Sequence, residues 1–447
     1  MPLSSSIKID DAVVVLVVGA CGLDRQLMVP HYPSPDSKVR TTEYHEVGGG
    51  NAANTAAVVG LLSNASFLRH ISNYSGRSVA VKLCSKVGDD HVGKQLVEEL
   101  EESGVDLSSP LFKIGNKGST TGVTSIIVSA SDHTRTCLHT PGTCGELTAQ
   151  DVMSTDLELV FQNVVHLHCD GRHTEAALAL AVAARNRNIT VSVDVEKDRK
   201  TKALDALMEV ATTVFTNADQ IEDYLSRLTT ELELENCRNS LEEVEVVARE
   251  DVLSAIGDSF AESVAISIRP SAFFSRWYRQ EEKEVVITKG SRGAIRVGCC
   301  GTKEQTLGDT AFRSAVRNQI VVDRKESDVF YVQHTFLDRS TIDERDLKLI
   351  SSDYAVLRVG VLDEITVIDT TGSGDAFMGA YILCKLTCGD IATCLRFGSW
   401  VAGRKVTGPG ARMALPTADE VDEDLGKTID SIRQLLKLKI TPFKQYS

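Results

Sequence analysis

The side chains best suited to chemistry lie within residues 369–377, which read D-T-T-G-S-G-D-A-F. Three small residues, Gly372, Ser373 and Gly374, come directly before an apolar segment with helical character. At such a point several backbone N–H groups face one spot, and the positive end of the helix dipole favours an anion there. Asp375 adds a carboxylate just inside the predicted helix. An anion cradle beside a candidate base is what phosphoryl transfer to a hydroxyl group requires.

Two upstream segments carry groups that suit a polyol. The run G-G-G-N-A-A-N-T-A contains Gly49 and Gly50, which allow a ligand to approach the backbone closely. Asn51 and Asn54 follow one helical turn apart, so their amides, which both donate and accept hydrogen bonds, share a face. Asp24 follows the first predicted strand, and its carboxylate suits two hydroxyl groups. In a purely structural interpretation, Asn51 caps the helix and Asp24 caps a turn.

Taken in order along the chain, these segments resemble the signatures of the ribokinase/PfkB family of sugar and nucleoside kinases. The resemblance implies that Asp375 takes the proton of the acceptor hydroxyl, and that the amides of residues 372–374 form the anion hole for the γ-phosphoryl group. Residues 166–172, 191–199 and 395–405 are most similar to the ketohexokinase branch. The acceptor sugar is then expected to contact Asp24, Gly49, Gly50, Asn51 and Asn54.

The same resemblance implies ATP as phosphoryl donor. Residues 286–293 read V-I-T-K-G-S-R-G and resemble the nucleotide-binding strand and turn of the family, which implies nucleotide contacts for Thr288, Gly290 and Gly293. Arg172 matches an arginine that lies near nucleotide phosphate in the ketohexokinase branch. A guanidinium suits phosphate geometry, although an arginine exposed to solvent is an equally good interpretation of Arg172.

Cations are expected at two places. The resemblance implies Mg²⁺ bridging the ATP phosphates, and it implies K⁺ at Asp369, next to the anion hole. Many family members carry N-x-x-E in their magnesium network, whereas residues 217–220 here read N-A-D-Q. The neutral Gln220 cannot supply the charge of the usual Glu, so either Asp219 substitutes for it or ATP itself mainly holds the metal.

Composition limits the function further. The 447-residue chain is 42% hydrophobic and 25% charged, as in globular proteins, and its net charge of −14 argues against a general nucleic-acid or anionic-membrane binder. Its 11 cysteines include no C-x-x-C pair, and Cys384 and Cys388 lack zinc-site spacing, so reduced thiols are expected. The longest apolar run, residues 12–21, is too short to cross a bilayer, and the N-terminus resembles no targeting signal. A cytoplasmic protein is the expectation.

The order of predicted elements favours an α/β fold with a mostly parallel sheet and helices on both faces. The resemblance implies a ribokinase-like three-layer sandwich, a single domain over residues 1–447, with a small β-sheet lid from about residues 25–47 and 118–140. An apolar extended run, residues 364–368, precedes the candidate site. Strands are predicted at residues 13–18, 79–87, 122–130, 164–168, 189–194, 211–216 and 284–288, and helices at 51–62, 93–103, 175–187 and 376–386.

Three segments interrupt this order as insertions, at about residues 63–78, 225–283 and 299–350. The second is acidic and is predicted to form one or two helices on the surface. The third has little clear periodicity. The entropic free-energy cost of closing a loop rises by only about 0.6 kcal/mol for each doubling of loop length, so none of these insertions prevents folding.

The expected function is therefore ATP-dependent phosphorylation of a primary hydroxyl on a small, ketohexose-like sugar. The resemblance also implies a homodimer, because dimers are common in the family. A kinase of a nucleoside or of a sugar phosphate is one alternative. Residues 24–56 offer few aromatic rings to stack on a base and few cations to bind a phosphate: Tyr32, Tyr44, Arg25, Lys38 and Arg40. A catalytically inactive, kinase-shaped partner protein is the other alternative.

Overall fold

The structure is a computed structural model. It describes residues 12–66, 68, 78–131, 134–195, 201–217, 220, 244–248, 283–306, 318–326, 329–338, 348–426 and 429–440. The chain divides into two compact units. The first comprises residues 1–193, 199–210 and 361–441, and the second comprises residues 194–198, 211–360 and 442–447. The single-domain organisation stays a prediction.

The first unit contains both strands and helices. Its strands are β1 (Val13–Val18), β2 (Gly22–Val29), β3 (Glu43–Gly49), β4 (Val79–Asp89), β5 (Val105–Asp106), β6 (Phe112–Lys117), β7 (Val123–Ser129), β8 (Thr134–Thr140), β9 (Val164–Cys169) and β10 (Thr190–Asp194). Its helices are α1 (Asn51–Leu62), α2 (His91–Glu102), α3 (Ala149–Met153), α4 (Leu157–Val160), α5 (Thr174–Arg185), α6 (Lys202–Val210), α7 (Ser373–Cys388), α8 (Ile391–Lys405), α9 (Ala418–Leu425) and α10 (Ile429–Lys439).

A parallel sheet forms the centre of this unit, with strand order β10-β9-β1-β4-β5 and with β6 beside β4. Strand β1 lies between β4 and β9, and all six of its residues are buried. This is why its sequence is a continuous run of valine and leucine without polar alternation. The predicted strand at residues 13–18 is confirmed, and so is the predicted helix at residues 51–62.

A separate four-stranded sheet has the order β3-β2-β7-β8 and corresponds to the predicted lid. Strand β2 pairs antiparallel with β3 and parallel with β7. Its polar residues Asp24 and Gln26 are buried, whereas every residue of β8 is exposed. One face of this sheet therefore directs polar side chains into the protein.

Helices α1 and α7 pack against each other, and α1 also contacts β1 and β4. Both are rich in small apolar residues on all sides, as expected of buried helices. Their N-terminal ends carry the two strongest sequence motifs, so their packing fixes the distance between the motifs.

The second unit contains β11 (Thr213–Asn217), β12 (Val244–Ala248), β13 (Glu284–Thr288), β14 (Ala294–Thr306), β15 (Asn318–Glu326), β16 (Val329–Asp338) and β17 (Lys348–Val359). Their order is β12-β15-β16-β17-β14-β13-β11. The pairs β11–β13 and β12–β15 are parallel, and the remaining pairs are antiparallel.

One prediction about the insertions was wrong in its described part. Within residues 225–283, the segment 244–248 is a strand rather than part of a surface helix, because its V-E-V-V-A pattern suits an extended chain paired with β15. Residues 299–350, for which no regular structure was predicted, carry most of an antiparallel array. The remainder of these two segments, and residues 67 and 69–77 of the first insertion, lie outside the described residues.

The extended run before the candidate site is not a strand. Residues 365–370 have no regular secondary structure, and Glu364 has a positive φ of 54°. Instead, the backbone N–H groups of Ile368 and Asp369 both donate to the carbonyl of Val406 at the end of α8. Within the described part of the chain, no helix has the length and apolar character that a bilayer crossing requires.

Candidate active site

Asp375 lies in the first turn of α7 and is 6% exposed. The helix begins after Gly372, which has a left-handed φ of 72°. A Cβ at this position would also lie 2.7 Å from the Cβ of Ala411, so both the backbone angle and the available space favour glycine. By contrast, a Cβ on Gly374 would meet nothing within 4 Å. The start of α7 therefore presents a buried carboxylate next to open space.

A chain of hydrogen bonds holds the Asp375 carboxylate in place. Asn54 Nδ2 donates to Asp375 Oδ2 at 2.8 Å, and Arg412 Nε donates to Asn54 Oδ1 at 2.9 Å. Asn54 comes from α1 and is 4% exposed, so its amide links helix α7 to the loop after α8. In this arrangement the Asn54 amide contacts two protein side chains, and its predicted contact with a sugar stays a prediction.

Arg412 is the main cation of the described site. Its side chain is 7% exposed, and its Nη2 donates to the carbonyl of Gly49 at 3.0 Å. Its Nη1 lies 3.8 Å from the carboxylate of Glu99, which in turn accepts from the Gly48 N–H at 2.9 Å. Burial lowers the pKa of Arg412, while nearby groups that include Asp24 counteract this effect. The guanidinium therefore ties the end of β3 to the two motif helices.

Asp24 lies on β2 with 8% exposure, directly beside Gly49. A Cβ on Gly49 would lie 2.4 Å from the Asp24 carboxylate carbon. Burial raises the pKa of Asp24 to about 6, although Arg412 acts in the opposite direction. Asp24 is thus largely ionised at neutral pH in a poorly solvated place, where an added hydroxyl donor would stabilise its charge.

The start of α1 is held by a second buried carboxylate, Asp170, which follows β9. Its Oδ2 accepts from the N–H groups of Ala20 at 2.8 Å and Ala52 at 3.0 Å. Its Oδ1 accepts from the N–H of Arg172 at 2.8 Å. The α1 N-cap is Gly50, without a side-chain cap, so Asn51 is the first helical residue and not the cap. Instead, the Asp170 carboxylate accepts from the N–H of Ala52, which has no acceptor within the first turn of the helix.

Asp369 lies just before the anion-hole residues, and four hydrogen bonds engage its carboxylate. Oδ1 accepts from the N–H of Thr371 at 2.9 Å and from its hydroxyl at 2.7 Å. Oδ2 accepts from Gln26 Nε2 at 2.7 Å and from the N–H of Gly410 at 2.8 Å. These donors lower the pKa of Asp369 in opposition to burial, which raises it. The donors occupy the directions from which a cation would approach.

The ammonium of Lys405 lies against the same loop. It is 0% exposed and donates to the main-chain carbonyl of Asp369 at 2.9 Å and to that of Gly408 at 3.5 Å. Burial lowers the pKa of Lys405 to about 8; Asp369 and Asp375 favour its charge, whereas Arg135 opposes it. A monovalent cation does not fit well beside Asp369, because hydrogen-bond donors already surround its oxygens. K⁺ at Asp369 stays a prediction that these contacts do not support.

The predicted nucleotide residues lie in both units. Arg172 is half-buried in the loop after β9 of the first unit. In the second unit, Thr288 ends β13 and is followed by a 3₁₀ turn, Gly290–Arg292. A Cβ on Gly293 would lie 2.0 Å from the Val359 carbonyl oxygen, so packing within the unit already requires this glycine. Gly290 has open space and a φ of 56°. Their nucleotide contacts stay predictions.

The predicted magnesium segment is only partly described. Asn217 Oδ1 accepts from the Gln220 N–H at 3.0 Å, and Asp219 lies outside the described residues. The two described side chains are neutral amides, which are weak ligands for Mg²⁺ compared with carboxylates. They therefore fit a metal held chiefly by the phosphates of ATP.

Several residues that organise this site were not predicted from the sequence: Gln26, Glu99, Asp170, Lys405 and Arg412. Their partners lie far away in the sequence. For instance, 358 positions separate Arg412 from its partner Asn54. Two signals were available. Arg412 follows a G-P-G turn after a predicted helix, and Asp170 lies in the segment H-C-D-G-R at the end of a strand.

Comparisons with known proteins identify the family and the fold of this chain. The chain matches the model of the pfkB family carbohydrate kinases over residues 14–251 and 348–418. Its fold is similar to Arabidopsis thaliana ribokinase complexed with ribose and ATP, with 16% identity, a TM-score of 0.58, and coverage of 95% of this chain and 99% of that chain.

Two further solved structures are similar. Ribokinase from Cryptococcus neoformans var. grubii in complex with ADP gives 18% identity, a TM-score of 0.56, and coverage of 92% of this chain and 99% of that chain. A nucleoside kinase from Methanocaldococcus jannaschii gives 16% identity, a TM-score of 0.56, and coverage of 95% of this chain and 99% of that chain. At such identities these neighbours establish the fold alone.

The fold and the site thus define a kinase with the ribokinase-like α/β architecture, with a mostly parallel central sheet and a separate small sheet. The chain belongs to the pfkB family of carbohydrate kinases. The comparisons do not separate the ketohexokinase branch from other branches, so that assignment stays a prediction.

The contact between Gly49 and Asp24 predicts that Gly49→Ala destabilises the protein. The new methyl group must displace a buried carboxylate or the β2–β3 pair, which typically costs about 1–3 kcal/mol. Chemical denaturation should show this loss. Gly374→Ala is the matched control, because its Cβ has open space and alanine favours a helix by about 0.5–1 kcal/mol. Equal stability of the two variants would contradict the prediction.

Proposed function

We propose that this chain is an ATP-dependent kinase that phosphorylates a primary hydroxyl of a small, ketohexose-like sugar. The observation that carries the proposal is the buried carboxylate of Asp375, oriented by Asn54 in the first turn of α7 beside the open space at Gly374. A proton acceptor beside the N-terminal N–H groups of a helix supports this proposal, because phosphoryl transfer requires both.

In the proposed reaction, Asp375 accepts the proton of the acceptor hydroxyl as its oxygen attacks the γ-phosphorus in line. The bond between the γ-phosphorus and the β–γ bridging oxygen breaks, and ADP leaves. The N–H groups of Gly372 and Gly374, together with the α7 dipole, are proposed to stabilise negative charge on the transferred group. The Ser373 N–H donates to the Thr370 carbonyl at 3.2 Å, so it joins this anion hole only by exchanging that bond for the phosphate. Mg²⁺, when bound with ATP, neutralises part of the phosphate charge.

The acceptor is proposed to bind between the Asp24 carboxylate and the start of α1, where Gly49, Gly50 and Asn51 lie. Asp24 accepts hydrogen bonds from two hydroxyl groups, which compensates for its loss of water. The small sheet acts as a lid that excludes water from the reaction. A hydrogen bond from Arg135 on β8 to the hydroxyl of Thr370 supports this role, because it joins the sheet to the anion-hole loop.

The charges near Asp24 favour a neutral sugar over a sugar phosphate. The main buried cation, Arg412, already contacts Gly49, Asn54 and Glu99. It is therefore not positioned to bind an additional phosphate without losing these contacts. A nucleoside remains a second candidate, because one of the proteins with a similar fold is described as a nucleoside kinase.

Asp375→Asn should reduce kcat by about 10²–10⁴-fold, the usual contribution of a positioned general base. The amide can still accept the hydrogen bond from Asn54, so we expect the fold and ATP binding to persist. Turnover can be measured by coupled ADP release, with circular dichroism and thermal unfolding as controls of folding. Wild-type turnover in a folded Asp375→Asn variant would remove Asp375 as the base.

A panel of acceptors should identify the substrate class. We expect the highest kcat/KM with free ketohexoses, and lower values with ribose, nucleosides and hexose phosphates. The ADP released must equal the phosphorylated acceptor detected by mass spectrometry. A preference for nucleosides or phosphorylated sugars would favour the corresponding alternative. ATP binding without turnover on any acceptor would favour a catalytically inactive partner protein.

We infer that the Lys405 ammonium supplies the positive charge beside the anion-hole loop, so that K⁺ is not required. Activity should be equal in potassium and tetramethylammonium salts. It should decline as pH rises through about 8, where Lys405 loses its proton. Lys405→Met should lower kcat by up to about 10²-fold through misplacement of the loop, and should remove this alkaline decline.

Unfolding does not explain such a decline. Lys405 binds its proton less tightly in the folded protein than in the unfolded chain, so its contribution to the free energy of unfolding rises between pH about 8 and 10.5. Thermal unfolding across this range provides the control. Strong activation of the wild-type protein by K⁺ would contradict the inference about Lys405.

A further inference from the structure

Three cysteines converge at the end of α7 opposite to Asp375. Cys384 and Cys388 are one turn apart on α7, and Cys394 lies in the first turns of α8. Their sulfur atoms all lie within 4.8 Å of one another, and the Cys384 and Cys388 sulfurs are 3.4 Å apart. The spacing of Cys384 and Cys388 in the sequence, taken alone, predicts no metal site.

The local fold explains this convergence. Gly389 ends α7 with a left-handed φ of 65°, and the Asp390 side chain caps α8 by accepting from the N–H of Thr393 at 3.2 Å. This two-residue connection returns the chain on itself, so the first turns of α8 lie against the last turn of α7. The two helices pack along their lengths, which makes the positions of the three sulfurs rigid.

The three sulfurs differ in environment. Cys384 and Cys394 are buried, whereas Cys388 is partly exposed. The cluster is therefore enclosed by protein except on the side of Cys388, which gives an ion a path from solvent.

We propose that Cys384, Cys388 and Cys394 form a binding site for one thiophilic d¹⁰ metal ion, with Zn²⁺ as the ion of choice. Zn–S bonds of about 2.3 Å in a tetrahedral arrangement place sulfurs about 3.8 Å apart, close to the separations found here. Zinc binds cysteine as a thiolate, so binding releases the thiol protons of the cluster to solvent, and a water completes the fourth position.

This site goes beyond the proposed kinase activity. Between nine and thirteen helical residues separate the cysteines of α7 from Asp375, which corresponds to roughly 14–20 Å along the helix. The ion is thus too distant to take part in phosphoryl transfer. It instead clamps α7 to α8 and stabilises the helix whose other end carries the proposed base.

The test uses the full chain, purified with reducing agent and freed of metal by a chelator. Cd²⁺ titration should produce sulfur-to-metal charge-transfer absorption in the ultraviolet that saturates at one ion per chain. Zn²⁺ should displace Cd²⁺ and raise the midpoint of thermal unfolding. Cys388→Ala is the main variant, because this partly exposed position tolerates truncation, and it should weaken binding by more than about 100-fold. Cys394→Ser should have the same effect.

Cys137→Ser is the matched control, because Cys137 is exposed on β8 and lies outside the cluster. It should bind Cd²⁺ as the wild-type protein does. The proposal is overturned if the wild-type protein shows no saturable absorption at one ion per chain. It is also overturned if the absorption persists in Cys388→Ala and Cys394→Ser.

Discussion

The buried carboxylate of Asp170 is the interaction on which the arrangement of the candidate site depends. Its two oxygens accept three backbone N–H groups, from Ala20 after β1, from Ala52 at the start of α1, and from Arg172 after β9. A side chain at Gly19 would lie 1.8 Å from this carboxylate, so the chain passes it without a Cβ. Because a buried charge is stable only when it is hydrogen-bonded, this one group fixes the start of α1 against the ends of two central strands.

The position of α1 in turn determines where the charged groups of the site lie. Asn54 on α1 receives a hydrogen bond from Arg412 and donates one to Asp375, so a neutral amide separates a buried cation from the proposed base. A direct contact between Arg412 and Asp375 would hold the carboxylate in a strong ion pair and weaken it as a base. Through the Asn54 amide, Arg412 still helps to orient the Asp375 carboxylate, but the positive charge of the guanidinium acts on that carboxylate less strongly. Asp24, on the small sheet, has no such intermediary, and burial governs its pKa.

The sequence predicted those parts of the structure whose causes are local. The run of β-branched residues in β1, the small-residue helices α1 and α7, and the D-T-T-G-S-G-D motif all follow from short-range patterns. It did not predict Gln26, Asp170 or Arg412, because each acts through a partner more than one hundred residues away. A surface helix was wrongly predicted where β12 lies, and no strand was predicted within residues 299–350, where charged and hydroxyl residues interrupt the alternation that identifies a strand.

The positive charges near the anion-hole loop show why the family pattern alone does not determine the chemistry of this chain. A loop that gathers phosphate charge needs nearby positive potential, and either a bound ion or a side chain provides it. Here the carboxylate of Asp369 is saturated by Gln26, Thr371 and Gly410, and the ammonium of Lys405 contacts its carbonyl. An ammonium fixed to α8 needs no solution cation, but it titrates, whereas K⁺ does not. In the proposed role of Lys405, a lysine takes the place of an ion, which exchanges a dependence on salt for a dependence on pH. Burial lowers the pKa of Lys405 to about 8, so that dependence is expected just above neutrality.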